Sequence, residues 1–156
     1  MFPGNPEING IQMGHEPVAA DALIDTAAWC DLAKAKGVYI VVSHYRGGDT
    51  DLVLTVHEGT AESGTTAITT GAEFPIWVAT SALVDPTLVR QTDGLGYTID
   101  TGVYTGSQII VFYIDASILS AGYRYVQLGA SGGHASSIAS VAYLLSGMRY
   151  QGDQNL

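Results

Sequence analysis

Apolar and polar residues alternate with a period of two in several short stretches, and no long stretch follows the 3.6-residue period of a helix. Ala22, Ile24 and Thr26 alternate with Leu23, Asp25 and Ala27, which predicts a first strand over residues 22–27. Residues 38–45, Val-Tyr-Ile-Val-Val-Ser-His-Tyr, are rich in β-branched and aromatic side chains and predict a second. In residues 52–58, Leu52, Leu54 and Val56 alternate with Val53, Thr55 and His57, as in a half-buried strand. The Gly-Gly-Asp-Thr-Asp stretch between these two reads as a turn, so they are expected to pair as a hairpin with a loop of about six residues. Residues 74–79 suggest an edge strand because of Pro75, and residues 94–100 a short strand. The nearly continuous apolar run at residues 109–115 predicts a strand covered on both faces. Residues 123–128 and 138–145 complete the set, with residues 59–71 and 129–136 as small-residue loops. Residues 81–90, interrupted by Pro86, fit no class. The best helical candidates, residues 31–36 and 117–121, are single turns.

Seven to nine short strands at spacings of roughly ten residues predict an all-β fold, an antiparallel β-sandwich of jelly-roll-like type. Pro3, Pro6 and Pro17, with Gly4, Gly10 and Gly14 among them, give the N-terminus no regular period. The expected organisation is therefore an extended arm over residues 1–20, a sandwich domain over 21–150 and a polar tail over 151–156. Phe2, Ile8, Ile11 and Met13 are the apolar anchors with which such an arm would dock on a neighbouring subunit or another protein. The strand pattern begins only near Asp21, so the folded domain is expected not to need the arm.

Charge narrows the function. Six basic residues face fifteen acidic ones, a net charge of −9, and charged residues are only 13% of the chain against an average of about 25%. No basic cluster offers to neutralise phosphates, so nucleic acid is not an expected partner. No apolar run approaches the roughly 20 residues of a membrane span, and no secretory signal is apparent. The single cysteine, Cys30, excludes an intrachain disulfide and reads as a small buried hydrophobe beside Trp29.

Candidate chemistry is sparse. His15, His44, His57 and His134 are scattered; His44 and His57 would approach only across the expected hairpin, beside Glu58. Asp49-Thr-Asp51 and Asp93-Gly-Leu-Gly96 lack the spacing of a calcium loop and read as turns. Ser131-Gly-Gly-His134 holds the parts of a nucleophile and a base, without an orienting acid or a rigid frame. No nucleophile elbow, P-loop or dinucleotide fingerprint is present. The expectation is a non-enzymatic protein with no catalytic residue, metal or cofactor. The nine tyrosines and two tryptophans sit mainly in or beside strands, and Tyr123 and Tyr125 are expected on one face with Arg124 on the other.

The run Ile114-Asp-Ala-Ser-Ile-Leu-Ser-Ala-Gly-Tyr-Arg-Tyr-Val-Gln-Leu128, followed by Ala139-Ser-Val-Ala-Tyr-Leu-Leu-Ser-Gly-Met-Arg-Tyr150, resembles the small β-sandwich virion proteins of tailed phages. In these an apolar strand ending in Asp precedes an Arg-Tyr-Val strand, and an Ala-rich strand ends in Gly-x-Arg or Gly-x-Lys. Residues 38–58 fit the same pattern, and the resemblance spans about residues 22–150, without the arm. It implies a head decoration (cement) or minor capsid protein that binds the major capsid protein on the outer surface of the virion, as a homo-oligomer of which a trimer is one form. A carbohydrate- or receptor-binding module and a head–tail connector or tail protein are the alternatives.

Overall fold

The computed structural model describes residues 8–23, 26–69, 71–103 and 106–147, with the side chains of Ile8 and Asn9 outside the description. The strands are β1 (Ile8–Ala19), β2 (Cys30–Asp31), β3 (Gly37–Tyr45), β4 (Leu52–Gly59), β5 (Ile76–Ala79), β6 (Val89–Arg90), β7 (Gly96–Ile99), β8 (Ser107–Asp115), β9 (Tyr125–Gly132) and β10 (Ile138–Ser146). They form a six-stranded sheet in the order β1-β10-β3-β8-β5-β6 and a four-stranded sheet in the order β2-β9-β4-β7. All pairings are antiparallel. Every connection except β5–β6 passes from one sheet to the other. With β5 and β6 appended beyond β8, this is the topology of a jelly roll of eight strands, and the expected all-β sandwich is the observed fold.

Period-two alternation explains how the sheets meet. Val38, Ile40 and Val42 of β3, with Ile110, Phe112 and Ile114 of β8, face Leu52, Leu54 and Val56 of β4 and Val126 and Leu128 of β9; all are buried. Phe74 and Phe112 pack edge to face at 5.5 Å. Tyr143 of β10 links the sheets through a polar tip: its buried hydroxyl donates to Ala28 O (2.8 Å) and accepts from Leu128 N of β9 (3.1 Å).

Three expectations need correction. First, β3 and β4 are not a hairpin. Both edges of β3 are paired, to β10 and β8, so residues 46–51 carry the chain across to the other sheet. Gly47 N donates to Ser137 Oγ at 3.0 Å, and Asp51 Oδ1 accepts from Thr101 N at 2.9 Å, fixing that crossing. Second, residues 8–19 are not an arm outside the domain but a strand paired along the length of β10, from Ile8 opposite Ser146 to Ala19 opposite Ile138. The signal was hidden because Gly10, Gln12 and Gly14 hold inward positions while Ile11 and Met13 face outward. A Cβ on Gly14 would come within 2.7 Å of Val141 Cγ1, so only glycine fits there. Register shifts between Met13 and His15 and between His15 and Val18 further break the period. Third, residues 22–27 are not a strand: a 3-10 turn spans Ala20–Ala22, with Leu23 fully buried behind it, and Ile24 and Asp25 lie outside the described residues. Strand β9 also runs on to Gly132, into what reads as a loop.

Candidate docking face

The outer face of the large sheet is built by the second half of the alternation. Residues in register across an antiparallel sheet project to the same side. One row runs Ile11, Leu144, Tyr39, Tyr113; the next Met13, Ala142, Val41, Val111, Trp77, Arg90. A third runs Ser140, Ser43, Ile109, Ala79, and a fourth Ala19, Ile138, Tyr45, Ser107. An antiparallel sheet with one face on the core ordinarily turns a polar face to solvent. Here that face is apolar, and its four rows contain one charged side chain, Arg90, and no carboxylate. The small sheet gives the internal comparison. Its outer rows carry Ser131, Val53 and Thr98, then Gly129, Thr55 and Gly96, a more polar set, and then Gln127 and His57, which are buried under the chain around Ala27 and Ala67.

Ile11 is 62% exposed and Met13 61%, at the β1 edge. Across the middle of the face runs a groove of about 520 Å³ between Leu144, Tyr39, Val41, Ile109, Val111, Trp77 and Leu88. A second hollow of about 310 Å³, sharing Ile109 with the first, continues past Tyr45, Ile138 and Leu83. The aromatic rings are held in place: Tyr39 and Tyr113 stack at 4.8 Å with a 42° tilt, and the Arg90 guanidinium lies 4.9 Å from the centre of Trp77. Arg90 is itself paired with Asp93 at the rim and donates to Gln91 O at 2.7 Å.

Of the residues singled out from sequence as partner-binding, Ile11 and Met13 stand on this face, Ile8 opens β1 at its corner and Phe2 lies outside the described residues. The environment of Ile11 and Met13 differs from the expectation: they project from a sheet, not from a free arm. The sequence reading missed Trp77, Val41, Ile109 and Val111. The signal was available, since a strand apolar at both odd and even positions implies cover on both faces, as residues 109–115 already indicated.

The other candidates are dispersed. His44 lies in β3 and His57 in β4, on different sheets. His44 is buried at one end of the core beside its register partner Gln108, and neither ring nitrogen nor Gln108 Oε1 has a hydrogen-bond partner among the described residues. Burial holds its pKa below the ordinary histidine value. Glu58, buried near the other end, accepts from Ser120 N at 2.8 Å and from its hydroxyl, which ties down the loop after β8. Ser131 is exposed at the end of β9, while His134 Nδ1 accepts from Ser136 N at 3.1 Å within its own turn. Arg124 does not oppose Tyr125 but lies on it, 4.8 Å from the ring centre, and also pairs with Asp31 at 3.3 Å. Cys30 is fully buried, and desolvation, reinforced by the Asp31 carboxylate, pushes its thiol up to about 12, so it carries no thiolate at neutral pH. Among the described residues no three His, Cys, Asp or Glu side chains lie close enough to hold a metal ion, and no helix is long and apolar enough to cross a membrane. Comparison with family models, with curated proteins and with solved structures gave no match.

Proposed function

We propose that this chain is a structural protein of a tailed-phage-type virion, a head decoration or minor capsid protein that docks on an assembled shell and stabilises it without catalysis. The observation that carries this reading is a jelly roll with one acid-free apolar sheet face, a surface of the kind that is covered when a chain is built into an assembly of several chains. The fold supports it, because jelly rolls recur in viral capsid and lectin domains. The chain's net charge of −9 suits the outside of a head better than a side facing DNA. A protein that binds only the assembled shell stabilises it by mass action, by about 2.7 kcal/mol per site at a hundredfold excess over Kd.

The test is to mix purified protein with empty heads of a tailed phage that encodes it. The expected result is co-sedimentation at fixed stoichiometry and a rise in the melting temperature of the heads. Heads that neither retain the protein nor melt later overturn the proposal. A second reading, a carbohydrate-binding module, is favoured by one feature, the Trp77 and Tyr39 rings lining a groove. Glycan titration followed by tryptophan fluorescence separates it: saturable quenching supports sugar binding, and a flat response removes it.

A further inference from the structure

We infer that the outer face of the large sheet is covered by a second copy of this chain, packed face to face about a twofold axis running along β3. This rests on reading that face as a protein-docking surface and not on the virion assignment. Three observations lead to it.

The first is charge. The chain carries −9, so two copies repel unless their contact excludes carboxylates. The four rows of this face hold none; the nearest stand at its rim, Glu16 on the β1 edge in the register gap beside the third row, Asp93 beside Arg90, and Asp115 beyond the first row. A basic partner would call for acidic residues here and an acidic partner for basic ones, whereas the only cation, Arg90, is already paired with Asp93. The surface complementary to a largely apolar sheet face without carboxylates is another such face.

The second is shape. Of the five strands β1, β10, β3, β8 and β5, β3 is the middle one. Ile11 and Met13 protrude at the β1 edge, and the groove runs from Leu144 and Tyr39 across β8 to its Trp77 and Leu88 end on the other side of β3. A twofold axis along β3 sets the protrusions of each copy over the groove of the other, the self-complementary arrangement an isologous dimer requires.

The third is area. Five strands at about 4.8 Å spacing and seven residues at about 3.3 Å each make a patch of about 550 Å² per copy, or about 1,100 Å² for the pair. That clears the roughly 1,000 Å² expected of a specific interface. Preorganised Tyr, Trp and Arg side chains are the types enriched at interface cores.

The experiment is sedimentation velocity and equilibrium of the full chain over a wide concentration range. The expected species is a dimer of twice the 16.4 kDa chain mass. Val41→Glu sets like charges against each other at the centre and is expected to leave a monomer. Met13→Glu, at an exposed position that the fold tolerates, is expected to raise the dimer Kd about tenfold or more, as for an interface anchor. Thr98→Glu, on the outer face of the small sheet, is expected to change nothing. Circular dichroism of each variant reports folding, and Met13→Glu keeps the test open if Val41→Glu does not fold. A wild-type chain that stays monomeric, a dimer indifferent to Met13→Glu and to folded Val41→Glu, or a trimer overturns the inference. Head binding measured on the same samples keeps the two proposals apart. A dimer that ignores heads leaves this inference standing and overturns the virion function. A monomer that loses head binding on Met13→Glu assigns the face to the shell and overturns the second copy.

Discussion

At the scale of single residues, the informative positions are those where a polar group sits among apolar ones. His44 follows Val38, Ile40 and Val42 on the inward side of β3, so the alternation that builds the strand also buries an imidazole. Because burial lowers its folded pKa below the unfolded value, the unfolded chain binds more protons as pH falls through the ordinary histidine range. Stability is therefore expected to be fully present above that range and to be lost as pH falls through the unfolded pKa, near 6.5, towards the folded one, before most carboxylates titrate. Thermal melts at pH 7.5 and 5.5 check this: the melting temperature should fall at the lower pH, and His44→Leu should remove most of the fall. An equal fall in the variant would assign the effect to other groups. That His44 is a strand residue was legible from its β-branched and aromatic neighbours. That it is buried rather than paired across a hairpin with His57 was not, because the sheet to which β4 belongs is not written locally.

At the scale of elements, β3, β4, β8 and β10 were legible because each has either clean alternation or a continuous apolar run. Strand β1 was not, since Gly10 and Gly14 face Leu145 and Val141 where a strand normally places bulk. Its role in the fold is nonetheless large. It pairs along β10, Gln12 Nε2 donates to Trp29 O at 2.8 Å, and Ala28 N donates to Gly14 O at 2.7 Å. The sequence led to the expectation that deleting residues 1–17 leaves stability nearly unchanged; the structure reverses it. The deletion removes most of a strand whose hydrogen bonds contribute about 1 kcal/mol each, and it bares the edge of β10. The expected outcome is a melting temperature lower by more than about 10 °C, with aggregation, where a loss of several kcal/mol in a domain of this size shifts Tm by about 2–4 °C per kcal/mol. Differential scanning calorimetry of the truncated chain is the measurement, and an unchanged transition would show that β1 is dispensable.

At the scale of the whole molecule, the first and last strands pair, and all but one connection crosses between sheets. Such a topology is dominated by contacts between residues distant in sequence, and loop closure must come before those contacts form. Refolding after dilution from denaturant is therefore expected on the millisecond-to-second scale; stopped-flow tryptophan fluorescence measures it, and complete refolding within microseconds would contradict the topology as the limiting factor. What the sequence by itself determined is the class of structure: period-two alternation, turn-forming Gly and Asp, and the lack of helical period act over a few residues, so they can be read from a few residues. The run at residues 109–115 likewise marked a strand apolar on both sides. What only the tertiary structure decided is which strands are neighbours, that residues 8–19 belong to the sheet, and that Ile11 and Met13 share a face with Trp77. Those facts depend on pairings such as β1 with β10 and β3 with β8, which are fixed by the closing of one core between two sheets and by no local preference of either partner.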